Sequence, residues 1–225
     1  MSDIAGNIHF LKSQIPSSVK LVAVSKTKPV SDIIVAYNTG QRYFGENRVQ
    51  ELMDKKDLLP SDIEWHLIGH LQSNKVKYIV PFISMIQSVD SYNLLVKVNS
   101  EALKIKRVVD CLLQIHIATE ETKFGFSMQE LNENMKSENI SNLKNIRISG
   151  VMGMATFTSY KDQVKKEFGY LRDCFQSLKD NYFKSSDYFK EISMGMSGDY
   201  EIAVQEGSTM IRIGSLIFGE RQHQE

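Results

Sequence analysis

Stretches of strand length, rich in apolar residues, alternate strictly with stretches of helical punctuation along the whole 225-residue chain. The strand candidates are 19–26, 42–47, 64–69, 85–90, 109–117, 147–155, 188–197 and 210–219. Most are near-continuous apolar runs, the pattern of parallel strands covered by helices on one face and by a filled interior on the other. The helical candidates are 3–14, 29–40, 48–58, 73–80, 91–104, 127–136, 160–182 and 198–206. Pro29 suits a first helical turn, Gly40 suits a helix end, and Leu94, Leu95, Val98 and Ala102 fall on one helical stripe. Such β-then-α units, with no Pro/Gly/Ser-rich linker between them, predict an α/β chain folded as a single (β/α)8 TIM barrel, one domain over 1–225. A doubly wound open sheet shares this periodicity and is the alternative.

With 42% hydrophobic and 24% charged residues, and only 13 Gly and 4 Pro, the chain has the apolar mass for one large core. Its 27 Lys and Arg balance 27 Asp and Glu, so no net field draws it to nucleic acid or to an anionic membrane. Cys111 and Cys174 lie far apart, with neither a disulfide framework nor CxxC spacing, which points to a reducing compartment. The first ten residues lack a basic segment followed by an apolar one, and uninterrupted apolar runs are short, as in Leu21 to Val24. A cytoplasmic protein with no membrane span is expected.

In a barrel, functional groups sit where strands end and the following loops begin. Lys26 closes the run Leu21-Val22-Ala23-Val24-Ser25 and shares a face with Val22 and Val24 under period-2 alternation, so it is expected to point inward. Partial desolvation at the mouth, with Lys28 two residues on, would disfavour its ammonium form and free the amine to form a Schiff base with a carbonyl. The alternative is a solvated loop lysine beginning the next helix. The late loops, Ser193 to Asp199 and Arg212-Ile213-Gly214-Ser215, would follow strands seven and eight, where backbone N–H groups commonly cradle a phosphate. Ser197 adds a hydroxyl, and Gly214 lets the backbone come close, although glycines in both loops also suit simple tight turns. With an inward lysine, these loops suggest a ligand carrying a carbonyl at one end and a phosphate at the other. The same logic admits a cofactor-free Schiff-base aldolase acting on a phosphorylated sugar.

His66 and His70 stand four apart, a metal-ligand spacing on a helix. Residues 65–69 read instead as a strand ending at Gly69, so the two rings would diverge, with His66 lining the mouth and no metal expected. Glu46 and Asp90 are candidate carboxylate catalysts or plain helix caps. Met152, Met154, Met194 and Met196 are expected to fill the core. No Ser-His-Asp order, P-loop or GxGxxG sequence is present, which leaves hydrolase and nucleotide-binding readings without a starting point.

Taken in order, several segments closely resemble the pyridoxal 5′-phosphate homeostasis protein family, small relatives of the alanine racemase barrel. They are Val22-Ala23-Val24-Ser25-Lys26-Thr27-Lys28-Pro29, Phe44-Gly45-Glu46-Asn47 with Gln50-Glu51, and Trp65-His66-Leu67-Ile68-Gly69-His70-Leu71-Gln72-Ser73-Asn74-Lys75. Ser88-Val89-Asp90-Ser91, Ser193-Met194-Gly195-Met196-Ser197-Gly198-Asp199, and Arg212-Ile213-Gly214-Ser215 through Ile217-Phe218-Gly219 complete the match, which runs from Leu21 to Arg221.

The resemblance implies a barrel of the alanine racemase N-terminal type, without the additional β-domain of the racemases. It implies that Lys26 holds pyridoxal phosphate as a Schiff base, that Ser197, Gly214 and Ser215 hold the phosphate, and that Arg212 faces the pyridine nitrogen. A guanidinium there weakens the ring as an electron sink. Asn47, His66 and Ser193 would line the ring. The related racemases take a second base, a tyrosine, from the additional domain. Without it the resemblance implies a binding protein for vitamin B6 homeostasis, a monomer or weak dimer whose partners are the cofactor and apo-enzymes that use it. A low-activity amino-acid racemase is the alternative. Residues 120–126 fit the family only loosely, which leaves Lys123 without an assigned role.

Overall fold

The computed structural model describes residues 3–119, 124–137 and 140–220. Its strands are β1 (Lys20–Val24), β2 (Tyr43–Glu46), β3 (Glu64–Leu67), β4 (Met85–Val89), β5 (Val109–Gln114), β6 (Ile146–Met152), β7 (Glu191–Ser193) and β8 (Met210–Ile213). They form a closed parallel barrel in sequence order, and β8 returns to β1 through Lys20↔Met210, Leu21↔Ile211, Val22↔Arg212 and Ala23↔Ile213. That closing pair excludes the open doubly wound sheet.

Helix α1 (Ile4–Gln14) precedes the first strand. The connections carry α2 (Val30–Asn38), α3 (Val49–Lys55), α4 (Val76–Ile79), α5 (Tyr92–Lys104), α6 (Met128–Lys136), α7 (Lys161–Tyr182) and α8 (Tyr200–Gln205), and α9 (Ser215–Phe218) follows β8. Short 3-10 turns extend α3 at its end and lead into α4. Helix starts follow local chemistry: Ser91 caps α5 by accepting the Leu94 amide, and Ser127 and Glu130 form a reciprocal capping box on α6. The expected stripe Leu94, Leu95, Val98 and Ala102 is the buried face of α5. Among the described residues, no helix is long and apolar enough to cross a membrane.

Two apolar layers explain why the strands read as continuous runs. Val22, Met85, Leu112, Met152 and Met210, bordered by Tyr43 and Met154, fill the barrel. Leu21, Ala23, Phe44, Leu67, Ile86, Leu113, Val151 and Ile211 belong to the larger layer between strands and helices. Each fully buried side chain of the Val, Leu, Ile or Met class contributes about 1.5–3 kcal/mol, and alternation divides these contributions between the two layers. At Gly150 on β6 the backbone comes so close to β7 that an added Cβ would overlap the Glu191 carbonyl oxygen at 1.8 Å.

The strands are shorter than the apolar runs containing them. Phe189 and Met194, which flank β7, are fully buried in the outer layer without belonging to the ladder. The largest difference is at the end of the chain: the run 210–219 is β8 followed by α9, because the backbone turns at Gly214. A four-residue helix is too short for a 3.6-residue period to show in sequence. On the paired strand, β1 stops at Val24, and Lys26 lies in the turn after the strand rather than closing it.

Candidate functional site

Because all strands are parallel, every loop that follows a strand emerges at the same end of the barrel. Lys26 is half-buried in the turn after β1. On the neighbouring strand, Gly214 lies so near Val24 that an added Cβ would be 3.4 Å from the Val24 Cβ. The loop after β7 is tied to β8, since the Arg212 amide donates to Gly195 O at 2.9 Å and the Met194 amide to Met210 O at 3.1 Å. Gly195 has φ +96, and an added Cβ there would meet Ala203 at 2.6 Å, so this turn needs glycine. Further along the loop, the Met196 amide donates to Asp199 Oδ1 at 2.6 Å. Ser197 is half-buried, Gly198 has open space beside it, and Ser215 is exposed. Lys26, Ser197, Gly214 and Ser215 thus gather at one end, on the loops of three consecutive strands around the closure.

Beneath them, inside the barrel, runs a chain of polar groups. Arg212 Nη1 donates to Ser193 Oγ (2.7 Å), Ser193 Oγ donates to Gln87 Oε1 (2.7 Å), and Gln87 Nε2 lies 2.8 Å from His66 Nδ1. An amide oxygen can only accept and an amide nitrogen can only donate, so Gln87 orients the chain: it accepts from Ser193 and donates to Nδ1, and the proton of a neutral His66 ring belongs on Nε2. Burial, reinforced by the charge of Lys20, lowers the His66 pKa from 6.5 to about 3. Arg212 is also buried, which lowers its pKa to about 10 against the opposing influence of Asp199, and its Nη2 donates to Gly153 O at 3.1 Å. Near neutrality His66 is uncharged and Arg212 is a cation.

Gln87 is absent from the expectations drawn from sequence, which singled out Ser88 and Asp90 in the same run. A signal was available: in a strand buried along its whole length, Gln87 shares the inward face with Met85. Asn47 follows β2 and is half-buried, and its backbone packs on Gly69, where an added Cβ would be 2.4 Å from Asn47 O.

Other candidates have different uses. His70 bonds Asp90 Oδ2 at 2.9 Å and stacks on Phe124 with ring centroids 4.4 Å apart, so it diverges from His66 and occupies the carboxylate of Asp90. Glu46 caps no helix among the described elements and faces away from the barrel interior. It is fully buried on the outer side of β2, where it accepts from Ser25 Oγ (2.7 Å) and Lys55 Nζ (2.7 Å), and burial raises its pKa above the usual carboxylate range. Lys28 Nζ is directed to the carbonyls of Phe218 (2.9 Å) and Gly219 (3.3 Å), which close α9. Met152 and Met194 are core residues, while Met154 and Met196 are only partly buried. Lys123 lies outside the described residues. Among the described residues, no group of three or more His, Cys, Asp or Glu is placed to hold a metal ion.

The family model "Alanine racemase, N-terminal domain" matches residues 1–222. The pyridoxal phosphate homeostasis protein of Aquifex aeolicus is 38% identical over 205 residues, covering 91% of this chain and 88% of the relative. The solved structure of PipY from Synechococcus elongatus, described with PLP bound, superposes with a TM-score of 0.88 at 36% identity and covers 96% of this chain and 100% of that one. An alanine racemase from Clostridium difficile shares the fold at 13% identity and a TM-score of 0.73, with 57% of its length covered. A barrel closed by β8 on β1, with Lys26 and the glycine-bearing late loops at one end, and these similarities over nearly the full length, lead to one conclusion: the chain belongs to the pyridoxal phosphate homeostasis protein family, built on the alanine racemase N-terminal domain.

Proposed function

We propose that this chain binds pyridoxal 5′-phosphate at the C-terminal mouth of its barrel and serves homeostasis of that cofactor without a robust reaction of its own. The observation that carries the reading is the register of β1 on β8. It sets the strand leading to Lys26 beside the strand that bears Arg212 and leads into Gly214 and Ser215, so these four residues lie toward one end of two adjacent strands.

The residues fit the group. Arg212 is a buried cation whose hydrogen bonds go to a hydroxyl and a carbonyl rather than a carboxylate, so it offers a donor to a pyridine nitrogen without offering a proton. Lys26 Nζ, in its neutral form, would add to the aldehyde carbon, and the aldehyde oxygen would leave as water, giving a Schiff base. Ser197, Ser215 and the backbone at Gly214 would hold the phosphate; Asn47, His66 and Ser193 would line the ring. When bound, pyridoxal phosphate supplies an electrophilic aldehyde and an electron-withdrawing ring.

Two observations support holding over catalysis. Burial takes His66 down to about 3 and leaves Arg212 at about 10, neither near the neutral range where a general acid or base works best. The curated relative is also named for homeostasis rather than for a reaction.

The test is spectroscopic. Protein loaded with pyridoxal phosphate is expected to show a visible imine band that borohydride abolishes and that Lys26→Ala lacks; an unchanged band in the variant removes Lys26 as the anchor. Deuterium incorporation at the α-carbon of an amino acid, with substantial turnover, would instead mark a racemase. Faster transfer of bound cofactor to an apo-enzyme than through free solution would identify apo-enzymes as partners.

A further inference from the structure

The turn that presents Lys26 is held from outside the barrel by a buried charge cluster on α3. Lys55 Nζ has three donors and three partners: Ser25 O at 2.9 Å, Glu46 Oε1 at 2.7 Å and Glu51 Oε2 at 3.1 Å. Glu51 and Lys55 are one helical turn apart, so both face the end of β1 from the same side of α3. Ser25 is gripped twice, by its carbonyl to Lys55 and by its hydroxyl to Glu46 Oε1 at 2.7 Å. The Thr27 amide donates to Glu51 Oε2 at 2.7 Å. The residues on both sides of Lys26 are therefore fixed by one cluster.

Thr27 shows what this grip accomplishes. Its φ is +64, a left-handed conformation that a β-branched residue adopts only when its surroundings impose it. Glu51 bonds the amide of that residue, and Lys55 is the cation that lets Glu46 and Glu51 approach the same turn. Without Lys55, two carboxylates would face each other at a buried site; among the described residues, Glu46 Oε2 already lacks a hydrogen-bond partner.

We propose that Lys55 is a positioning residue for Lys26: through Ser25, Glu46 and Glu51 it holds the left-handed turn at Thr27 and so sets the aim of the neighbouring amine toward an aldehyde. This inference rests on the proposed capture of pyridoxal phosphate by Lys26. It assigns a function to the Glu51 and Lys55 side chains, which belong to neither the pocket nor the apolar core.

The experiment follows the rate of imine-band formation after mixing the protein with pyridoxal 5′-phosphate, and the rate of release into excess apo-enzyme. Lys55→Met is expected to slow capture about tenfold or more, as a misaimed reacting group does. Glu51→Ala, at the edge of the cluster, provides a variant that keeps Lys55 paired with Glu46. It should slow capture as well, and adding Thr27→Gly, which adopts positive φ without strain, should restore it. Wild-type rates in Lys55→Met and Glu51→Ala would overturn the proposal, and so would slow capture that the glycine does not restore. If the wild-type protein forms no band, or Lys26→Ala retains it, the failure lies in the function and not in this inference.

Discussion

Arg212 Nη1 donates to Ser193 Oγ at 2.7 Å, across the seam between β8 and β7, and heads a run of hydrogen bonds that continues through Gln87 to His66. Gln87 is the middle of that chain, fully buried, with its amide nitrogen also 3.0 Å from Met210 Sδ. Replacing Gln87 by Leu would keep the volume roughly constant but strand the Ser193 hydroxyl and His66 Nδ1 away from water. A buried polar group left without its partner costs about 1–3 kcal/mol, so urea unfolding of Gln87→Leu should show a loss in that range or above. In nitrogen-detected NMR the wild-type ring should appear as the Nε2–H tautomer, and the variant should lose that preference. A variant of wild-type stability and tautomer would mean that the chain of bonds contributes nothing.

His66 ties stability to pH in a defined direction. Its folded pKa of about 3 lies below the ordinary 6.5, so between these values the unfolded chain binds a proton that the folded chain refuses. The contribution is fully present above 6.5 and is lost as the pH falls toward 3, at a limiting slope of about 1.4 kcal/mol per pH unit. His66→Gln retains an acceptor for the Gln87 amide but does not titrate. The wild-type protein should therefore lose unfolding free energy relative to His66→Gln steadily as the pH is lowered through this window. Glu46, with its raised pKa, contributes to both proteins equally and cancels in the comparison.

Arg212 should matter more for affinity than for covalent chemistry. Arg212→Gln removes the buried cation and part of the Ser193 contact while leaving Lys26 intact. The imine band is expected to persist at saturating pyridoxal phosphate, with affinity reduced about tenfold or more, the scale of losing a charge-assisted hydrogen bond. Titration by absorbance or fluorescence gives both quantities at once. Complete loss of the band with the fold intact would instead place Arg212 in the bond-forming step.

Legibility in the sequence followed the range of the interactions involved. The strand-and-helix alternation was readable because each barrel strand buries both faces, and the resulting apolar runs need no partner to be recognised. Lys26, Gly214 and Ser215 were readable as strand-end residues at one mouth of the barrel, although the runs 19–26 and 210–219 that contained them extend past the ends of β1 and β8. Gln87 was not, since one amide in an apolar strand has meaning only once Ser193 and His66, from other strands, are placed against it. From sequence, Lys28 reads as a like charge two residues from Lys26, and Glu46 as a strand-end carboxylate, catalyst or helix cap. Three-dimensional packing gives them holding roles on α9 and at the β1 turn.

By itself the sequence determined the architecture and the end of the barrel where chemistry is concentrated, because periodicity, caps and glycines act between residues close along the chain. Only the tertiary structure decided the protonation state of His66, the neutral partners of Arg212 and the grip of Lys55 on the turn at Lys26. Those properties arise from burial and from contacts such as Gln87 with Ser193, separated by 106 positions. Desolvation and hydrogen-bond direction depend on which groups meet in space, and that is fixed when β8 closes on β1.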